Sequence, residues 1–535
     1  TYAYYCATRA LMENEGFKFK YYFDSDAEEK EYDTSYDEMY SYCQKKLYSE
    51  GYKIYTSIDL TKQQQLQDSI DLTLLDFTDT TDDGTFKLQS AATCIDNATG
   101  YVVAIVGGRS QDATNHTLNR AFQSHRQPGS SIKPLIVYTP SFERGKTPDT
   151  IVNDHKFDGG PSNAGDSYYG DVTIRFAVEK SLNTVAWQLY DELTPKVGLQ
   201  YLKDMNFTNI VKDDYVTATA LGGFTTGVSP LEMASAYATL ENDGMYRNPT
   251  CVTSIVDSDN NIIYTSSQKD TVIYSENAAR TMTDVMTGVM TQGTGRKAKL
   301  DNGMPSAGKT GTTNDKKDGW FCGFTRYYTT CVWVGCDMPE TIKDLTGGSY
   351  PAEIWKTYMD QIHSDLTPLN FLPYAHMSDE SQDNQESQEV QDTPADDQTQ
   401  NNPTDQTVTT PDEGTTTPDQ TTTDPNKTDA AGGKHEKTPT TPSENPSGGD
   451  GDSGSAGGTG GAGDSGSAGG AGGAGDSGST GGAGGAGGSG STGGAGGAGG
   501  SGSTGGTGGA GGSGSTGNTG GTTGGEGGAT GGAAQ

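Results

Sequence analysis

Apolar and polar residues alternate along Tyr52-Lys-Ile-Tyr-Thr-Ser-Ile58, the period of a strand with one covered face. Residues 61–75 switch to the spacing of a helix. Two more alternating runs, 88–95 and 101–106, flank Asn97-Ala-Thr-Gly100, and that turn chemistry predicts an antiparallel hairpin. Gly129 then breaks the chain, and 132–138 reads as an apolar helix with Pro134 tolerated in its first turn. Residues 231–240 and 278–290 carry amphipathic or wholly apolar helical patterns. A strand follows at 306–312, then a hairpin of 320–325 and 329–334 around Arg326-Tyr-Tyr328, then a closing helix at 351–362. Strands at both ends of this stretch, with helices between, predict an α/β (α+β layered) fold with a mainly antiparallel central sheet covered by helices.

The first fifty residues are rich in Tyr and charge and read as helix up to a stop at Gly51, which suits a packing or linker segment. At the other end the pattern disappears. No aromatic residue follows Tyr374, and residues 378–446 are acidic and rich in Thr and Pro. Residues 457–516 hold five copies of a twelve-residue Gly-rich unit such as 481–492. Such text lacks the apolar surface needed to offset the entropy of ordering. The expected organisation is a helical segment over 1–50, one folded domain over 51–370 and a disordered spacer over 371–535.

The net charge is −34, and 21 acids against 3 lysines in 371–535 leave −16 for the remainder. A body this acidic is unsuited to nucleic acid, whose phosphates need clustered Lys and Arg, and to docking on anionic lipid through a basic face. Cysteines stand at 6, 43, 94, 251, 322, 331 and 336 without a CxxC pair, and no His lies at ligand spacing with one of them. Neither a metal nor another cofactor is expected. Cys322, Cys331 and Cys336 read as small buried hydrophobes, and one disulfide elsewhere stays open. No leader or apolar run of membrane-spanning length occurs. The chain opens at Thr1 in helical text and is expected to be a piece of a longer protein.

Three short signatures carry the chemistry: Ser130-Ser-Ile-Lys133, Ser181-Leu-Asn183 and Lys309-Thr-Gly311. On a helix, positions i and i+3 share a face, so Lys133 can reach the Ser130 hydroxyl. A serine is a poor nucleophile until a base takes its proton, and a lysine serves once burial and nearby cations lower its pKa. Placement at a helix N-terminus would add a dipole that suits developing negative charge. Ser181 offers a second hydroxyl to pass a proton to a leaving amine, and Asn183 an amide that accepts from lysine and donates to substrate. Lys309 offers a cation for a carboxylate on a strand whose edge can pair with an extended peptide. The backbone N–H groups of Thr312 and Ser130 would form an oxyanion hole. Each signature alone has an ordinary reading, as a helix start, a turn or a solvated lysine. Their joint presence in this order is what signifies.

In this combination the chain resembles the transpeptidase domain of class A penicillin-binding proteins. Further strings share the likeness: 51–59, 100–108, Asn119-Arg-Ala121, 221–234, 308–315 and Asp318-Gly-Trp-Phe321. The resemblance implies an enzyme that cross-links peptidoglycan stem peptides. Ser130 would attack the penultimate D-Ala carbonyl of a D-Ala-D-Ala terminus, with Lys133 as base and Ser181 as proton relay. Asn183 would orient the donor and the lysine. Lys309, Thr310, Gly311, Thr312 and Thr313 would hold the donor strand and its terminal carboxylate. An amine of a neighbouring stem would resolve the acyl-enzyme, and β-lactams would acylate Ser130 as inhibitors. The resemblance also implies an upstream glycosyltransferase domain and membrane anchor, and hence a bifunctional protein at the extracytoplasmic face of a bacterial membrane. A class A β-lactamase is the nearest rival, since Glu179 precedes the second signature in the manner of a hydrolytic carboxylate. One loop would then have to play both parts.

Overall fold

The computed structural model describes residues 1–110 and 118–375. Of the spacer expected over 371–535, residues 371–375 are instead held on the domain, with the Phe371 ring against Phe324 and Ala375 N–H donating to Asn277 Oδ1 at 2.7 Å, and the rest lies outside the described residues. Helices α1 (Tyr2–Asn14) and α2 (Asp26–Ser49) precede β1 (Lys53–Thr56), α3 (Leu60–Thr73), β2 (Leu88–Asp96) and β3 (Val102–Val106). A short α4 (Arg120–Gln123), two irregular turns and α5 (Thr139–Glu143) lead to β4 (Ile151–Asp154) and β5 (Gly170–Thr173). Three helices follow: α6 (Ile174–Lys180), α7 (Asn183–Leu193) and α8 (Pro195–Asp204). Next come α9 (Pro230–Glu241), β6 (Met245–Tyr246), β7 (Val252–Val256), β8 (Ile262–Thr265), β9 (Thr271–Val272) and α10 (Glu276–Thr291). The chain then forms β10 (Ala307–Thr312), β11 (Asp318–Phe324), β12 (Tyr328–Cys336) and α11 (Tyr350–Ile362).

Five strands make an antiparallel sheet in the order β10-β11-β12-β2-β3. Along β11, Trp320, Cys322 and Phe324 sink into one apolar cluster while Phe321 enters the other, as a period of two requires. α9 and α10 cover the first face, and α3 and α11 cover the second. The layered antiparallel architecture read from the sequence is the one observed. β10 stands at the sheet's edge, and this position leaves the Lys309-Thr-Gly311 strand free on one side.

The N-terminal segment differs from expectation. Tyr2, Cys6, Ala7, Ala10 and Leu11 of α1 lie in the same core as the sheet, and α1 packs on a second antiparallel sheet of order β1-β7-β8. Small residues on its inner face allow this close approach. Of α2, only Cys43 is fully buried, so that helix alone has the character of an appended segment. All seven cysteines are buried free thiols, and among the described residues no helix is long and apolar enough to cross a membrane.

Candidate active site

The nucleophile stands at the start of the helix that the apolar pattern predicts, but the first turns of that helix are not regular α-helix. Gly129–Ile132 forms a 3-10 turn, and Pro134–Tyr138 continues as a π-helical turn. Prolines 134 and 140 have no N–H, so the regular i→i−4 ladder loses a donor at both positions. Lys133 N–H bonds instead to the Ser130 carbonyl, and Thr139 N–H to the Pro134 carbonyl. The consequence is chemical. A 3-10 turn has three residues per turn, so Ser130 and Lys133 stand one above the other. The helical backbone nevertheless runs unbroken from Gly129 to Glu143, so Ser130 stands in its first turn, where the backbone dipoles suit developing negative charge.

Gly129 has φ +53°, which a residue with a Cβ adopts at a cost of about 1–2 kcal/mol. A Cβ there would also stand 2.7 Å from the Thr312 carbonyl oxygen. From the opposite side, Gly222 approaches so closely that its Cβ would lie 2.3 Å from Gly129 N. The turn is thus wedged between β10 and the 221–234 string. Arg126 and Val228 exchange backbone hydrogen bonds of 2.9 Å, Gln127 Nε2 donates to Phe224 O at 3.0 Å, and Trp320 Nε1 donates to Gln127 O at 2.9 Å. Ser130 itself is half-buried, and its hydroxyl has no hydrogen-bond partner among the described residues.

The three signatures converge. Lys133 Nζ, fully buried, donates to Asn183 Oδ1 at 2.8 Å, to Ser181 O at 2.9 Å and to Leu182 O at 3.1 Å. Lys309 Nζ, also buried, donates to Ser181 Oγ at 2.7 Å and to Thr310 O at 3.1 Å. Ser181 therefore lies between two lysines, its carbonyl on one and its hydroxyl on the other. This is possible because Ser181 ends α6 in the left-handed region, at φ +60°, a strained conformation for a residue with a side chain. Burial pushes the Lys309 amine down to about 7. It pushes Lys133 well below the usual lysine range, and the neighbouring Lys309 charge lowers it further.

A supporting network escaped the sequence. Asn163 Oδ1 accepts the N–H groups of Asn183 at 2.7 Å and Thr184 at 3.3 Å, capping α7 from outside. Asp154, buried at the end of β4, fixes the orientation of that amide by accepting Asn163 Nδ2 at 2.7 Å. It also accepts the Thr184 hydroxyl, and Tyr169 N–H at 2.9 Å. Asn183 Nδ2 in turn donates to Ser162 O at 2.8 Å, which leaves Oδ1 to face Lys133. Asp154→Asn would set an NH2 group against one of these donors. It is expected to cost roughly 1–3 kcal/mol of stability and to slow acylation of Ser130. Denaturant unfolding and acylation kinetics check this, and wild-type values in both would contradict it.

The open edge of β10 completes the site. Thr313 N–H donates to Asp318 O at 3.1 Å, which makes 313/318 a hydrogen-bonded pair. Pairing continues without a bulge from Thr312↔Gly319 to Ala307↔Phe324, and the two pair types alternate in an antiparallel ladder. The backbone N–H groups of Thr310 and Thr312 therefore point away from β11, along the free edge against which Gly129 rests. Glu179, the carboxylate weighed for hydrolysis, is buried against α10. Its Oε1 accepts from Gln292 Nε2 at 2.8 Å and lies 2.3 Å from where a Gly288 Cβ would be.

Residues 90–360 match the family model described as the penicillin binding protein transpeptidase domain, so the chain belongs to the penicillin-binding transpeptidases, an acyl-transfer family of peptidoglycan synthesis. Over 314 residues it is 36% identical to penicillin-binding protein 4 of Bacillus subtilis, a match covering 58% of this chain and 48% of that protein. Penicillin-binding protein 1A of Clostridium acetobutylicum is 35% identical over 337 residues, 59% of this chain and 41% of that one. PonA1 from Mycobacterium tuberculosis, solved in complex with penicillin V, shares the fold at a TM-score of 0.57 and 23% identity, over 70% of this chain and 95% of that chain. The chain spans about half the length of the curated relatives it matches.

Proposed function

We propose that this domain is a serine D,D-transpeptidase whose donor is a stem peptide ending in D-Ala-D-Ala. The convergence of Lys133, Ser181, Asn183 and Lys309 beside Ser130 carries this reading. A neutral Lys133 has two N–H bonds rather than three, so one of its three present contacts opens and its lone pair is free for the Ser130 proton. Ser130 Oγ then adds to the penultimate D-Ala carbonyl. The resulting oxyanion is held by the N–H groups of Ser130 and Thr312. Ser181, polarised by Lys309, passes its proton to the departing amine as the C–N bond breaks and takes in return the proton that Lys133 accepted from Ser130. The free edge of β10 over Thr310, Gly311, Thr312 and Thr313 pairs with the donor and receives its carboxylate, with the Lys309 charge behind it. An acceptor amine, having given up a proton through the same relay, forms the new amide and restores Ser130. β-Lactams acylate Ser130 by the same route, a reading supported by the penicillin V complex of PonA1.

The intact protein, on this reading, also carries a glycosyltransferase domain and a membrane anchor upstream and works at the extracytoplasmic face. Incubation of the chain with a D-Ala-D-Ala stem peptide and an excess of amine acceptor is expected to release one D-Ala per amide formed. Penicillin is expected to abolish that release. A chain that takes up penicillin on Ser130 but never forms the new amide would remove the transpeptidase assignment.

A further inference from the structure

Two segments outside the three signatures close on one face of β10. Thr310 and Thr312 are two residues apart on a strand and so project from the same face. Thr310 Oγ1 meets Thr294 Oγ1 at 2.7 Å, and Thr312 Oγ1 accepts Gly347 N–H at 3.0 Å. Thr294 follows α10 and is anchored beside the second signature, since its N–H donates to Glu179 O at 3.2 Å. Gly347 lies just before α11, so close to β10 that a Cβ on it would stand 2.5 Å from Gly311 O and 2.4 Å from Trp320 O. The two segments also meet each other: a Cβ on Gly348 would lie 2.8 Å from Thr294 O.

This arrangement limits where the hydroxyl protons can go. A hydroxyl has one proton and two lone pairs. The Gly347 N–H occupies a lone pair of Thr312, and so leaves the Thr312 proton free to donate elsewhere. In the Thr294–Thr310 pair either hydroxyl can donate, and when Thr294 does, the Thr310 proton is left to point outward. No carboxylate hydrogen-bonds any of these hydroxyls, and Thr294 is exposed despite its contact. What results is a neutral rack of hydroxyls with protons left to donate, a surface made for a carboxylate.

We propose that Thr294 and the Gly347-Gly348 turn are positioning residues that aim the Thr310 and Thr312 protons at the donor's free carboxylate, and thereby set the preference for a free acid over an ester. The proposal rests on the reading of Ser130 and β10 given above. Thr294→Val removes the hydroxyl at nearly constant volume, and Thr294→Ser restores it. The test measures acylation rate constants of the full chain with a penicillin and with its carboxyl methyl ester. Thr294→Val is expected to lose roughly 10-fold on the free acid, the scale of one hydrogen bond to a charged group, and to change on the ester by less than about 2-fold. Thr294→Ser should recover both rates. Equal losses on acid and ester, or no loss on either, would overturn the positioning role while leaving the Ser130 assignment standing. Failure of the unaltered chain to react with either compound would overturn both.

Discussion

Lys133→Ala is expected to slow acylation of Ser130 by about 10³-fold, within the range that a positioned general base supplies. The loss has two parts. The amine that takes the serine proton is gone, and no described side chain hydrogen-bonds the Ser130 hydroxyl to replace it. The buried acceptors Ser181 O, Leu182 O and Asn183 Oδ1 also lose their shared donor, and the strained Ser181 loop loses the pin that holds it. Lys133→Arg separates these parts. It keeps a cation for the three acceptors, but a guanidinium cannot act as a base, so acylation should stay slow while stability partly returns. Rates for either variant within tenfold of the unaltered chain would show that Lys133 is not the base.

A second large effect is expected with pH. The rate of acylation should trace a bell whose falling limb lies near pH 7. Ser181 links the two amines, so they lose protons as a pair. The reactive form has Lys133 neutral and Lys309 charged. Activity therefore rises as the first proton leaves and falls as the second does, where Lys309 stands at about 7. Lys309→Met should remove the falling limb and weaken donor binding. It should also move the rising limb upward, because Lys133 loses the neighbouring charge that disfavours its ammonium form. Stability follows a different course. Between about pH 7 and 10.4 the unfolded chain keeps protons on both lysines that the folded chain has shed. These residues consequently add stability as pH rises through that window, while activity declines. A flat rate profile from pH 6 to 9 would contradict the shared-proton description.

Much of this was legible in the text of the chain, for reasons visible at particular residues. β11 and β12 read as near-continuous apolar runs because both of their faces are buried, as the split of Trp320 and Phe321 between two clusters shows. The signatures could be read because their order and setting restrict chance. What the sequence hid is mostly three-dimensional. Pro134 suits the first turn of a helix, but its lost donor acts together with that of Pro140, and the result is a 3-10 turn followed by a π turn. Asp154 and Asn163 lie in polar loop text with no periodicity, and only folding brings them onto the start of α7. The role of Gly347 depends on a close approach to Gly311 and Trp320 that no local pattern encodes. The helix α1 resembles a linker in composition, yet its small residues place it in the core.

Intact-mass analysis of the full chain after reaction with a penicillin, followed by peptide mapping, bears on all of this most directly. The expected result is one covalent adduct per chain, equal to the whole penicillin because ring opening expels nothing, located on Ser130 and absent from Ser130→Ala. An adduct on another residue, one that persists in Ser130→Ala, or no adduct in the folded chain would contradict the mechanism at its first step.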